Sequence, residues 1–127
     1  MELNQVTLPS TDLARSVAFY TRLGFRLIVH DPPTYARFEC RPDGPTFSLH
    51  RVATVAEDCA VVVYFECEDV DATVRSLEAR GVRFELPPTD QPWLWRESHL
   101  RDPDGNRLCL FHAGENRLSP PWKIPGS

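Results

Sequence analysis

The chain has no long apolar run. None of its 127 residues belongs to a stretch approaching the ~20 apolar residues that a membrane-spanning helix requires, so no membrane partner is expected. Positive charge is also in short supply. With 14 Lys and Arg against 18 Asp and Glu, the net charge is −4, the wrong sign for the electrostatic footprint of a nucleic-acid binder. The four cysteines, Cys40, Cys59, Cys67 and Cys109, show no CxxC spacing and no matching histidine pair, which argues against a structural zinc site. They read as reduced thiols of a cytoplasmic protein. Met1-Glu2-Leu3-Asn4 has neither the charged nor the apolar part of a leader peptide, so none is expected. What is present, 42% hydrophobic and 25% charged residues, is the composition of an ordinary globular protein.

A repeat stands out against this plain background. Asp12-Leu13, Val17, Tyr20 and Gly24-Phe25-Arg26 recur 57 residues later as Asp69-Val70, Val74, Leu77 and Gly81-Val82-Arg83. Pro42-Asp43-Gly44 with Phe47 and Leu49 recurs 61 residues later as Pro103-Asp104-Gly105 with Leu108 and Leu110. Two near-equal offsets in the same order imply one ancestral half present twice, each half only marginal alone. Two such halves are expected to face one another across a shared pocket.

Local patterning assigns the same order of elements to both halves. Residues 5–8 alternate and read as a strand. Ser10-Thr11-Asp12 offers N-caps, Leu13, Val17 and Tyr20 follow at helical spacing, and Gly24 sits at a helix C′ position. Strands are expected at 25–30, 35–40 and 46–51, with Asp31-Pro32-Pro33 and Pro42-Asp43-Gly44 as breaks. In the second half the expected elements are a strand at 60–66, a helix capped by Asp69 and ended by Gly81, and a strand at 82–85. A loop opening at Pro87-Pro88 follows, then strands at 94–101 and 107–112. The tail, 114–127, reads as irregular, with Trp122 a candidate anchor. The fold class is therefore α+β: two tandem β-α-β-β-β modules, 3–52 and 59–113, forming a curved, cup-like mixed sheet with helices on the outer face of one domain.

Alternation along the strands also assigns faces. Val6, Leu8, Phe47, Leu49, Leu108 and Leu110 should face the helices. Gln5, Thr7, Ser48, His50, Val62, Tyr64, Cys109 and Phe111 should face the concave side. Trp93 and Trp95, two apart, are read as leaving one strand in the same direction, large plates suited to stacking on a flat ligand. The same pair could instead seal a core edge or a subunit interface. Arg37 or Arg96 could pair with a ligand carboxylate or phosphate. Glu97 and His99 alternate on the strand before the last turn.

The module order resembles that of the vicinal oxygen chelate superfamily, which includes glyoxalase I, extradiol dioxygenases and bleomycin-resistance proteins. The residues that carry the resemblance are Asp12-Leu13-Ala14-Arg15-Ser16-Val17-Ala18-Phe19-Tyr20 with Leu23-Gly24-Phe25, and Asp102-Pro103-Asp104-Gly105-Asn106-Arg107-Leu108. Both motifs are structural, so function must be argued from the site. Members usually hold one divalent metal between the halves, and by resemblance the four ligand slots fall on Gln5, Ser48, Val62 and Cys109. Valine cannot ligate, and an amide, a hydroxyl and a thiol form a thin site. The expectation is therefore no metal and no other cofactor. The chain would bind a small aromatic ligand by sequestration, as the bleomycin-resistance branch does, and, like many members, form a homodimer. The ligand-binding residues would be Gln5, Thr7, Arg37, Ser48, His50, Val62, Tyr64, Trp93, Trp95, Glu97, His99, Cys109 and Phe111. The alternative is a lyase or dioxygenase of the glyoxalase type, with one divalent metal displaced onto His50, His99 and Glu97 or Glu39. A Cys109–His50 catalytic pair is a further alternative.

Overall fold

A computed structural model describes residues 1–126; Ser127, the end of the expected tail, lies outside the described residues. The chain forms two compact units. The first takes in Met1–Val61 together with the turn segment Arg101–Asn106, and the second takes in Val62–Leu100 and the chain from Arg107 onward. Each unit carries the expected order. The first contains β1 (Gln5–Ser10), α1 (Leu13–Arg22), β2 (Arg26–Asp31), β3 (Tyr35–Glu39) and β4 (Thr46–Arg51). The second contains β5 (Val62–Glu66), α2 (Val70–Ala79), β6 (Leu86–Asp90), β7 (Arg96–Arg101) and β8 (Arg107–His112). The two sheets have equivalent strand orders, β1-β4-β3-β2 and β5-β8-β7-β6. No described helix is long and apolar enough to cross a membrane.

The repeat in the sequence is reproduced in the hydrogen-bonded register. Parallel strands β1 and β4 pair Gln5 with Thr46 and Thr7 with Ser48. Parallel strands β5 and β8 pair Val62 with Arg107 and Tyr64 with Cys109. Adding 57 to the first strand and 61 to the second converts one set into the other. The helices match as well. Asp12 accepts from the Arg15 N–H (3.1 Å) and Asp69 from the Ala72 N–H (3.0 Å), satisfying donors that the first turn leaves free. Gly24 and Gly81 end the helices at φ +102° and +87°, and no atom crowds the position of a Cβ at either. The left-handed backbone, not space, is what calls for glycine there.

Helix α1 packs on β4. Between them lies an aromatic core in which Tyr20, Phe25 and Phe38 all contact Phe47, with centroids 4.9 to 5.2 Å apart. The hydroxyl of fully buried Tyr20 donates to Asp102 Oδ2 (2.7 Å), while Asp102 Oδ1 accepts from the Asp104 and Asn106 N–H groups (both 2.9 Å). Burial, and then the Asp102 charge, keep that phenol protonated far above its ordinary range. The second unit's helix-side core is aliphatic: Val70, Val74, Leu77, Leu100, Leu108 and Leu110 are buried.

Three expectations are corrected here. The strand placed at 82–85 is β6 at Leu86–Asp90, so Pro87 and Pro88 lie within a strand and do not open a loop. The reason is position: β6 is an edge strand, and its pairing with β7 skips from Leu86 to Thr89, so neither missing proline N–H is needed. The strand placed at 94–101 begins only at Arg96, because Leu94 takes a positive φ of 67°. Trp122 is 57% exposed and is not anchored; the tail instead opens with a short 3₁₀ turn at Gly114–Arg117.

Candidate functional site

Each sheet carries its helix on one face and leaves the other for chemistry. On the open face of the first unit, Gln5 of β1 donates from Nε2 to Ser48 Oγ of β4 (2.6 Å), and its Oε1 accepts from the Thr46 hydroxyl. The Ser48 hydroxyl also bonds the Tyr35 hydroxyl of β3 (2.5 Å), and Arg37 Nε donates to that same phenol oxygen (3.0 Å). The Arg37 guanidinium lies 5.4 Å from the Tyr35 ring centroid. Burial pushes the Tyr35 phenol up, but the hydrogen bonds from Ser48 and Arg37 and the Arg37 charge outweigh it, and the net shift is downward. Gln5, Ser48 and Arg37 thus meet in one network, as their shared face implied. Thr7 and His50 are exposed beside it.

The open face of the second unit is built differently. Tyr64 of β5, Trp95 and Phe111 of β8 form a three-ring cluster. The Trp95 and Phe111 rings stack with centroids 4.7 Å apart at 23°, and Tyr64 meets both edge-on at 5.9 and 5.5 Å. Val62 and Trp95, both partly buried, pack against the buried group Cys109, Phe111 and Ala113. Next to the rings lies a set of polar atoms. Glu97 of β7, only 2% exposed, accepts from the Trp93 indole N–H at Oε2 (2.7 Å), and its Oε1 lies 2.8 Å from His99 Nε2. Cys109 of β8 is wholly buried, and its thiol is pushed up to about 12 by burial, by the Glu97 charge and by a hydrogen bond to Glu97. Burial and the Glu97 charge also raise the Tyr64 phenol.

The structure separates several residues that the sequence reading grouped. Trp93 and Trp95 do not leave a common strand. They flank the reversal at Leu94, one holding Glu97 and the other stacking on Phe111. Arg96 is not available for a ligand. It points to the helix side, where Nε and Nη2 bind both oxygens of Asp71 on α2 (2.7 and 2.9 Å) and Nη1 binds Asp90 (3.0 Å). Its parity on β7 is that of Ser98 and Leu100, opposite to Glu97 and His99, so alternation was enough to place it. Glu39 is paired with Arg26 (3.6 Å). Tyr35 and Thr46, which complete the Gln5–Ser48 network, were not singled out from sequence. Tyr35 was legible as the same-face neighbour of Arg37, two residues away on β3.

This framework is that of a known family. A model of the Glyoxalase/Bleomycin resistance protein/Dioxygenase superfamily matches residues 2–110, and the chain belongs to that superfamily. It is 31% identical to the uncharacterized protein YraH of Bacillus subtilis (strain 168), over 87% of this chain and 98% of that protein. A glyoxalase/bleomycin resistance protein/dioxygenase from Nocardioides superposes with a TM-score of 0.76 at 28% identity, covering 98% of this chain and 89% of that one. A bleomycin-binding protein in complex with bleomycin superposes with a TM-score of 0.74 at 23% identity, over 90% of this chain and all of that one. At that identity the likeness is one of fold, the tandem β-α-β-β-β arrangement.

Proposed function

We propose that this chain binds a small, flat, aromatic molecule on the open face of its second sheet and sequesters it without turning it over. The observation that carries the reading is the Tyr64–Trp95–Phe111 cluster. A stacked pair bordered by an edge-on phenol is a surface on which a planar ligand gains dispersion and quadrupole contacts. Phe111 is buried in the core, but Tyr64 and Trp95 are not fully buried, so two of the three rings keep surface for a ligand. His99, a third exposed, supplies a polar atom beside them. On the first sheet, Arg37 keeps both terminal guanidinium nitrogens without a partner among the described residues. With Gln5, Thr7, Ser48 and His50 it forms a face that we propose recognises polar or anionic groups. The bleomycin-bound relative in fold fits a sequestering role.

The family's usual metal slots are put to other uses in this reading. Gln5 and Ser48 satisfy one another, Val62 offers no donor, and Cys109 alone remains. This set does not fit a divalent ion, so no step is assigned to a metal held there. The same reading expects a homodimer, supported by exposed Ile28 and Val29 on the edge strand β2. It also expects a cytoplasmic location, supported by four free thiols.

Replacing Trp95 by Ala tests the assignment. Calorimetric titration with bleomycin and with simpler planar heteroaromatics should show affinity falling by about 0.5–1.5 kcal/mol in the variant, the scale of one aromatic contact. The oligomeric state in size-exclusion chromatography should not change. Dissociation of a dimer with ligand affinity intact would assign the rings to a subunit contact instead.

A further inference from the structure

Three side chains of the second unit bring metal-ligating atoms together, and only one of them, Cys109, falls on a usual slot of the family. Glu97, His99 and Cys109 each offer one donor, and the carboxylate oxygen, imidazole nitrogen and thiol sulfur all lie within 4.8 Å of one another. We propose that Glu97, His99 and Cys109 form a zinc-binding site, independent of whether an aromatic ligand binds nearby.

Four observations support this. The donor set, one thiolate, one imidazole and one carboxylate, is drawn from the ligand types that zinc accepts in four-coordinate sites. The spacing is close to what is needed: donors of a tetrahedral zinc stand about 3–4 Å apart, and His99 Nε2 and Glu97 Oε1 are already at 2.8 Å. The scaffold is rigid, since Glu97 and His99 are alternate residues of β7 and Cys109 lies on the neighbouring strand β8. An outer partner is also in place. The Trp93 indole N–H holds Glu97 Oε2 at 2.7 Å and leaves Oε1 against His99 Nε2, the arrangement by which second-layer groups orient metal ligands.

Charge agrees with this assignment. Zn²⁺ with one thiolate, one carboxylate and a neutral imidazole sums to zero, which suits a buried carboxylate and a buried thiol better than a net charge would. On binding, the Cys109 S–H bond breaks, its proton passes to solvent, and a Zn–S bond forms. The His99 proton facing Glu97, where that tautomer is present, moves to the outer ring nitrogen. Three protein donors leave a fourth position open, and His99, the one partly exposed member, marks the side from which an ion enters.

The test uses the full chain with Cys40 and Cys59 replaced by Ser, so that the two exposed thiols are removed. Titration with ZnCl₂ should give one ion per chain, with an observed enthalpy that varies linearly with buffer ionisation enthalpy, the slope counting the protons released. CoCl₂ should give a thiolate-to-cobalt charge-transfer band. Cys109→Ser should abolish that band, and His99→Ala should weaken zinc binding on the order of 100-fold. Trp93→Phe should keep the band and weaken binding by about 10–100-fold, as loss of an outer partner does. His99 is partly exposed, so its variant remains informative should Cys109→Ser fail to fold. No stoichiometric zinc, a band that survives Cys109→Ser, or equal zinc affinity in His99→Ala would each overturn the proposal.

Discussion

The two units share a strand order, a register and a pair of helix caps, yet their ring clusters form on opposite sides of the sheet, with Tyr35 the one open-face ring named in the first. In the first unit the rings of Tyr20, Phe25, Phe38 and Phe47 fill the helix side, and the open face is a hydrogen-bonded chain of amide, hydroxyl, phenol and guanidinium. In the second the fully buried apolar residues on the helix side are valine and leucine, and the rings of Tyr64, Trp95 and Phe111 stand on the open face with Glu97, His99 and Cys109. The helix side only needs apolar volume, which either composition supplies at native density. The open face is under no such demand, so that is where duplicated halves diverge and where a ligand site is best sought.

The contrast can be broken first by mutation of rings on the two faces. Phe47→Ala should cost about 3–5 kcal/mol, because it empties a packed site in contact with three other rings. Trp95→Ala should cost clearly less in chemical denaturation, since its ring is only partly buried. Equal losses would mean that the open-face rings are structural. A thiol titration sharpens the same contrast. Exposed Cys40 and Cys59 should react first with a disulfide reagent near neutral pH, and Cys109 last. With Cys109 raised from 9.0 to about 12 in the folded chain, its contribution to stability is fully present below about pH 9. It declines between about 9 and 12, because the unfolded thiol loses its proton first. Cys109→Ala should flatten the fall in stability across that window; an unchanged slope would mean that the thiol titrates normally. The smallest effects should come where the units are alike. Asp12→Ala and Asp69→Ala should each cost about 1 kcal/mol by thermal unfolding, and a large difference between them would show that the caps are not equivalent.

Much of this arrangement is legible in the amino-acid sequence. The offsets of 57 and 61 carried directly into the β1–β4 and β5–β8 registers, and the caps and helix-ending glycines fell where local chemistry placed them. What was not legible depended on tertiary position. Pro87 and Pro88 read as a break because nothing local marks an edge strand, where a missing N–H costs nothing. The two tryptophans read as one surface because the positive φ of Leu94, a residue with no special tolerance for it, carries no signal in sequence. The grouping of Glu97 and His99 with Cys109 needed knowledge of which strand lies beside β7, which alternation along one strand does not contain.

The central claim is that the open-face rings of the second unit meet a ligand, and Trp95 can report this itself. In the chain with Trp93→Phe and Trp122→Phe, Trp95 is the one remaining tryptophan of three. Titration with bleomycin or another planar heteroaromatic should quench its emission saturably, with the same dissociation constant that calorimetry gives for this variant. Calorimetric binding that leaves Trp95 emission untouched would contradict the assignment.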